Sequence, residues 1–330
     1  MQNKRRRRVV VSILTFAAIL ALDGCQKPGP PSAASAPLEL TVNSWVGWGP
    51  LFIAQEKGFF DGLNVGIAFT EDAGARRSAM LAGQVDGYAS SVDNLAIDAT
   101  FGVTGKTVMC FDESAGADGI VARQNITWAN LKGHKVAVQK GLPGHFLLLT
   151  ALAKHGLKPD EVAILDLDAD KAGSGFVSGT LDVAVTWEPW ISKAAGMTGG
   201  KKLLTTAEMP GTIVDTLVMR DEVLLSRRAD VKKVIDGWFK ALEWYKTQPD
   251  EGNRIIGAAY KLKPEEVKDI VAGIRFYDLA KNREYMVGSP AGTAPIFKVF
   301  DQASSLWKEA GVTSTTVPAQ RYIDSSLIVP

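Results

Sequence analysis

Trp187-Glu188-Pro189-Trp190 sets two indoles around one carboxylate. That combination can cage a cation, because ring faces attract positive charge and Glu188 supplies the counter-charge. The same residues suit a plainer role, with Trp190 packed inward and Glu188 capping a helix opened by Pro189. A second aromatic pair, Trp45 and Trp48, stands on the turn Asn43-Ser44-Trp45-Val46-Gly47-Trp48-Gly49-Pro50. The turn follows a predicted strand, Leu38–Ser44, and leads into a short helix that Pro50 opens and Gly58 ends. Two large aromatics there either line a ligand or plug a core. The carboxyl end of a strand ahead of a helix is where open α/β sheets place ligands.

Polar groups gather at the ends of other predicted strands. Asp112-Glu113-Ser114 follows Thr107–Phe111, where one acid can fix an ammonium or guanidinium and Ser114 can donate a hydrogen bond. Alternatively, Asp112 and Asp118 tie down a Gly-rich hinge loop through backbone N–H groups. Ser90-Ser91-Val92-Asp93-Asn94 is a helix entry: Ser91 suits the N-cap, or the helix start faces a ligand oxygen. Lys140-Gly141-Leu142-Pro143-Gly144-His145-Phe146 is a comparable turn whose helix start suits an anion. His145 there is either a pocket residue or a structural one. Asp215, after Pro210-Gly211, can contact solute or cap a hinge. The acids Asp93, Asp112, Glu113, Asp118, Glu188 and Asp215 face only Lys140 and His145. A buried bare anion needs Arg or Lys beside it, so this set points to a small amine, guanidinium-like or zwitterionic solute.

The elements that position these residues alternate in βα units, the pattern of an α/β fold with mostly parallel sheets. Predicted strands cover Leu38–Ser44, Val65–Phe69, Asp86–Ser90 and Thr107–Phe111, with helices near Leu51–Glu56, Ala75–Leu81 and Val92–Ala99. A second block has strands at Lys135–Val138, Ala163–Asp166, Val183–Thr186 and Lys202–Thr205, with helices over Phe146–His155, Ala172–Val177 and Trp190–Ala195. After Asp215–Met219 helices dominate: Val231–Thr247, Glu251–Tyr260, Glu265–Ile274 and Ile296–Ala310, several entered through proline. The stripe Val234, Trp238, Ala241 and Trp244-Tyr245 reads as core.

The first 24 residues read as a leader. A basic Lys4-Arg5-Arg6-Arg7-Arg8 precedes the apolar run Val9–Leu22, which is short for a membrane span. Leu22-Asp23-Gly24-Cys25 resembles a lipoprotein processing site, with Cys25 as the lipidated new N-terminus. An ordinary signal peptide with a chance cysteine is the alternative. Residues 25–37, rich in Pro, Ala and Ser, read as a flexible tether. Without the leader, 32 basic and 35 acidic side chains remain, a formal charge of −3. The arginine run is therefore targeting chemistry, and nothing basic is left to suggest nucleic-acid binding. Cys110, the only other cysteine, lies in an apolar strand pattern, reads as a small core residue, and makes no disulfide framework once Cys25 carries lipid.

Five stretches in order resemble periplasmic solute-binding proteins of the nitrate/sulfonate/taurine type that serve ABC importers. They are Asn43–Phe60, Ala82–Gly87, Asp112–Val121, Leu131-Lys132-Gly133 with Val136-Ala137-Val138, and Trp187–Trp190. The resemblance implies two lobes with mixed sheets flanked by helices, a type II-like binding-protein fold with the ligand cleft between lobes. It places lobe 1 at 38–120 and 216–330 and lobe 2 at 121–215, with crossovers near Gly119–Ala122 and Thr212–Thr216. It implies a monomer that hands a small solute to a permease and its ATPase subunit. The contact set is Trp45, Trp48, Ser91, Asp93, Glu113, Ser114, His145, Trp187, Glu188 and Asp215.

No metal-binding or nucleophile motif occurs, so neither a cofactor nor catalysis is expected. Two rivals remain. One is an enzyme on the same fold, of the menaquinone- or thiamine-pyrimidine-pathway type; the other is a sensor that docks on a membrane receptor. The expected location is extracytoplasmic, with a lipid anchor to the membrane.

Overall fold

A computed structural model describes residues 36–288 and 294–329. The leader, Cys25 and the tether up to residue 35 lie outside the described residues. Among the described residues no helix is long and apolar enough to cross a membrane.

The strands are β1 (Leu38–Val42), β2 (Val65–Phe69), β3 (Gly87–Ser91), β4 (Gly105–Ser114), β5 (Asp118–Arg123), β6 (Lys135–Val138), β7 (Ala163–Asp166), β8 (Val183–Trp187), β9 (Gly200–Thr205), β10 (Val214–Arg220) and β11 (Ile274–Phe276). The helices of the two βα blocks are α1 (Gly49–Glu56), α2 (Ala73–Leu81), α3 (Val92–Thr100), α4 (Pro143–Lys154), α5 (Ala169–Ser178) and α6 (Trp190–Gly196). The C-terminal helices are α7 (Asp221–Ser226), α8 (Arg228–Thr247), α9 (Pro249–Tyr260), α10 (Pro264–Val271), α11 (Leu279–Met286) and α12 (Pro295–Glu309). Proline opens α4, α9, α10 and α12 at a position whose N–H needs no partner.

Two mixed sheets result. The first runs β11-β4-β10-β3-β1-β2 and the second β7-β6-β8-β5-β9. In each, a parallel βα core (β2-β1-β3 and β7-β6-β8) is extended by antiparallel strands, β10 beside β3 and β5 beside β8. The chain leaves the first sheet between β4 and β5 and returns between β9 and β10. The second sheet thus begins at Asp118, inside the stretch read from sequence as a hinge loop, and the first resumes at Val214. β11 likewise ends a segment read as helix, because its three residues pair with Asp112–Ser114 of β4.

Each sheet has its own core, around Leu40, Phe111, Trp238 and Phe300 in one and Val136, Leu148, Val183 and Val185 in the other. The α8 stripe is buried as its spacing requires: Val234, Trp238 and Ala241 are fully covered. One helix ties the halves together. Phe146 and Leu149 of α4 belong to the first core, and Trp307 of α12 packs its ring 5.9 Å from Phe146.

Cys110 is buried and free. Past β11, no strand among the described residues pairs with Cys110 on the outer edge of β4, and Asn282 of α11 fills the gap. Its Oδ1 accepts from Cys110 N–H at 2.7 Å, and its Nδ2 donates to Cys110 carbonyl at 2.9 Å. An Asn282→Ala variant should lose about 3 kcal/mol of stability, since two buried backbone groups lose their partner. Urea unfolding followed by tryptophan fluorescence measures this; a loss below about 0.5 kcal/mol would show that the edge is satisfied otherwise.

Candidate functional site

A cavity of about 540 Å³ lies between the two sheets. Its wall comes from the carboxyl ends of six parallel strands. The ends of β1, β2 and β3, with the turns and first helical turns that follow them, supply Asn43, Ser44, Trp45, Glu71, Arg76, Ser91 and Asn94. The corresponding segments at the ends of β6, β7 and β8 supply Gln139, Gly144, Asp168, Asp170, Trp187 and Glu188, while Asp118 and Asp215 come from the crossing strands β5 and β10. Parallel strands end together in one direction, so their following loops collect around one crevice.

The half-buried Trp45 lines the cavity, and its Nε1 donates to Asp112 Oδ1 at 3.2 Å. Gly47 lets the turn lie close over this pair: a Cβ there would fall 2.5 Å from Asp112 Oδ2 and collide with the Trp45 indole. Trp48 touches the cavity wall but is only 2 % exposed; it packs edge-on against Phe111 at 5.3 Å and donates to Asn43 Oδ1 at 2.6 Å. Of the two tryptophans, Trp48 is thus mainly a core residue. Trp187 lines the opposite half, where its Nε1 and that of Trp190 both donate to Asp170 Oδ1 at 3.1 Å. Glu188 also reaches the cavity, yet its carboxylate caps α6, accepting from Ser192 N–H at 3.0 Å and Ser192 Oγ at 2.8 Å.

Four expected contact residues do not line the cavity, and their partners explain why. Glu113 is held by the Arg275 guanidinium and by Gly211 N–H at 2.6 Å, so its charge is compensated at the crossover. Ser114 bonds Thr206 Oγ1 at 2.8 Å and accepts from Asp118 N–H at 3.1 Å, binding the outgoing and returning chain together. Asp93 is buried in the first turn of α3, beneath the surface that Ser91 and Asn94 present. His145 is buried beside Trp307, with ring centroids 5.3 Å apart, and its Nδ1 accepts from Gly141 N–H at 3.2 Å. Burial, aided by nearby Lys140, lowers its imidazole pKa to about 4, so it stays neutral. Ser91 occupies the N-cap position of α3, but its hydroxyl makes no cap hydrogen bond and borders the cavity.

Asp118, Asp170, Arg76, Asn94 and Gln139 were outside the expected contact set. The alternating acids Asp166, Asp168 and Asp170 after a strand were the available signal for Asp170. Arg76, rather than the Lys140 expected from sequence, is the basic residue that lines the cavity among the described residues. It is 5 % exposed, and its Nη1 donates to the carbonyls of Thr70 at 2.7 Å and Glu71 at 2.9 Å.

The site's electrostatics follow from burial of acids without cations. Asp118 titrates near 6 and Asp93 near 7, both raised by desolvation. Asp112 and Asp215 lie directly opposite on β4 and β10, and both are pushed up, first by burial and then by neighbouring carboxyls. A carboxyl raised in the folded state removes stability as pH climbs from its unfolded value of about 4 towards its folded value. Asp215→Asn should therefore raise the melting temperature at about pH 8, by at least about 3 °C, with the gain vanishing towards pH 4. Calorimetry of variant and parent across that range checks the sign; a gain that grows on acidification would contradict it.

A cleft walled by the strand ends of two linked α/β halves is the architecture of periplasmic solute-binding proteins of the nitrate/sulfonate/taurine type. The chain belongs to the NMT1-like family, whose family model matches residues 32–259. A Bacillus subtilis (strain 168) protein named for binding aliphatic sulfonates is 28% identical over 276 residues, 78% of this chain and 81% of its own. The periplasmic aliphatic sulphonate binding protein SsuA from Escherichia coli superposes with a TM-score of 0.73 at 18% identity, covering 89% of this chain and 93% of that one. The fold also carries catalysis: the desulfurization enzyme DSZB matches with a TM-score of 0.59 at 13% identity, over 88% and 97% of the two chains.

Proposed function

We propose that this protein is the extracytoplasmic, lipid-anchored capture component of an ABC importer, and that its solute is a small nitrogen-bearing zwitterion or cation. The observation that carries the reading is the charge layout of the cleft. Glu71, Asp118, Asp168, Asp170, Glu188 and Asp215 line it, against Arg76 as the one basic lining residue among the described residues. The sulfonate-binding names of the relatives suggest an acidic solute group as well. The start of α4, which lacks a side-chain cap and has no acid in its first turn, offers such a group a place at Leu142–Gly144. The amine end then lies among the carboxyls, while Trp45 and Trp187 supply apolar walls from the two halves.

Capture works by closure. A solute that touches both halves gains its full interaction energy only in the closed form, so binding shifts the population towards it. No covalent bond of the solute changes, and a monomer is sufficient. The closed form then docks on the permease, which the ATPase subunit drives, with Cys25 lipid holding the protein at the membrane.

A thermal-shift screen of aminoalkanesulfonates, amino acids, amines, alkanesulfonates and nitrate tests the solute class. Zwitterions or amines should stabilise the protein most; preference for nitrate or a plain alkanesulfonate, or turnover of any compound, would overturn the reading. For the best solute, Trp187→Ala should weaken binding more than about tenfold while leaving the fold intact. Titration calorimetry beside far-UV circular dichroism decides this, and an unchanged dissociation constant removes Trp187 from the site.

A further inference from the structure

The row of side chains at the floor of the cleft points to more than charge attraction. β3, β10 and β4 are adjacent, and the ladder places Ser91 opposite Asp215 and Asp215 opposite Asp112. Residues directly opposite share a face of the sheet, so the hydroxyl and both carboxyls form one line. A register shift after Asp215, where β4 steps from Asp112 to Cys110, aligns the two acids. Asp215 borders the cavity and Asp112 stands behind it, fixed by Trp45.

Two buried atoms in this row have no partner. Ser91 Oγ, on a residue 2 % exposed that lines the cavity, makes no hydrogen bond, and neither does Asp112 Oδ2 on a fully buried residue. Among the described residues, the groups facing the pair add no positive charge. They are Asp118 on β5, Asp93 on α3, Glu113 and Cys110 on β4, Tyr260 on α9, and Tyr277 ahead of α11. Arg275 is committed to Glu113, Arg76 to backbone carbonyls, and His145 is neutral. Two desolvated carboxylates side by side with no cation cannot both stay ionised.

We propose that Asp112 and Asp215 share one proton in the unliganded protein, and that the ammonium or amidinium group of the solute displaces it. This deepens the cation-accepting reading of the cleft and rests on it. The shared proton leaves the carboxyl oxygen for water or buffer, the solute cation takes its place, and the net charge of the pair with its counter-ion is unchanged. Ser91 Oγ then accepts a hydrogen bond from the same cationic group. The raised titration of both acids agrees with this arrangement. Capture is accordingly proton-linked, tighter as pH rises through the range in which the pair holds its proton.

The shared proton is testable without any solute. Carboxyl-labelled aspartate, followed by carbon NMR from about pH 4 to pH 9, should show two coupled sites titrating above the ordinary aspartate value of about 3.9. Asp215→Asn should delete one and move the other, assigned with Asp112→Asn, downward. Ordinary titration of both overturns the proposal even if a solute binds. Displacement is read with n-propylammonium and methylguanidinium chloride, titrated calorimetrically in buffers of different ionisation enthalpy. Release of about one proton per bound cation by the parent protein, and none by Asp215→Asn, is the expected result. Cation binding without proton release, or no cation binding at all, overturns displacement. The importer reading fails separately, by the absence of any stabilising solute in the screen.

Discussion

Desolvation of carboxyl groups is the constraint around which this cleft is organised. Asp93, Asp112, Asp118 and Asp215 are almost fully removed from water, and no basic side chain among the described residues lowers the titration of any of them. Such burial opposes folding, because taking charge out of water costs several kcal/mol unless a partner or a proton compensates it. Keeping these acids where hydrophobic residues would be more stable is the mark of a functional site. The crossover next to them shows the contrast: Glu113 is just as buried, but Arg275 and the Gly211 N–H pair with its carboxylate.

The fold delivers these groups through two different devices. Parallel strands β1, β2, β3, β6, β7 and β8 end at the cleft, and their last residues with the turns and helix starts that follow carry the indoles, amides and hydroxyls. Antiparallel strands β10 and β5 enter each sheet from the crossover and carry the central acids Asp215 and Asp118. These acids therefore sit where the chain passes between the two sheets. On the other side α4 is seated in the first core against Trp307, and Asn94 Nδ2 donates to Gly141 carbonyl at 2.6 Å.

Much of the scaffold was legible in the chain. β2, β6 and β7 lie where β-branched runs between turn residues placed them, and the C-terminal helices begin at their prolines. The two strands that were missed have a common reason. β5 reads Asp118-Gly119 at its start and β11 is three residues long; neither has a local signal, and each exists because β8, β9 or β4 offers it a ladder. The site was only partly legible. Turn tryptophans and strand-end acids marked the right loops, but the type of a side chain does not reveal its partner. Ser114 turned to Thr206, Glu188 to Ser192, and His145 into the space beside Trp307.

Sequence by itself determined the α/β alternation, the family resemblance, the loops that surround the cleft and the excess of acids over bases there. Those properties depend on periodicity, proline and glycine geometry, and composition, all of which are local. Tertiary structure decided which acids are compensated and which are buried without a cationic partner. Compensation of a buried charge depends on groups a few ångströms away in space that can be more than a hundred residues away along the chain, as Arg275 is from Glu113 and Asp215 is from Asp112.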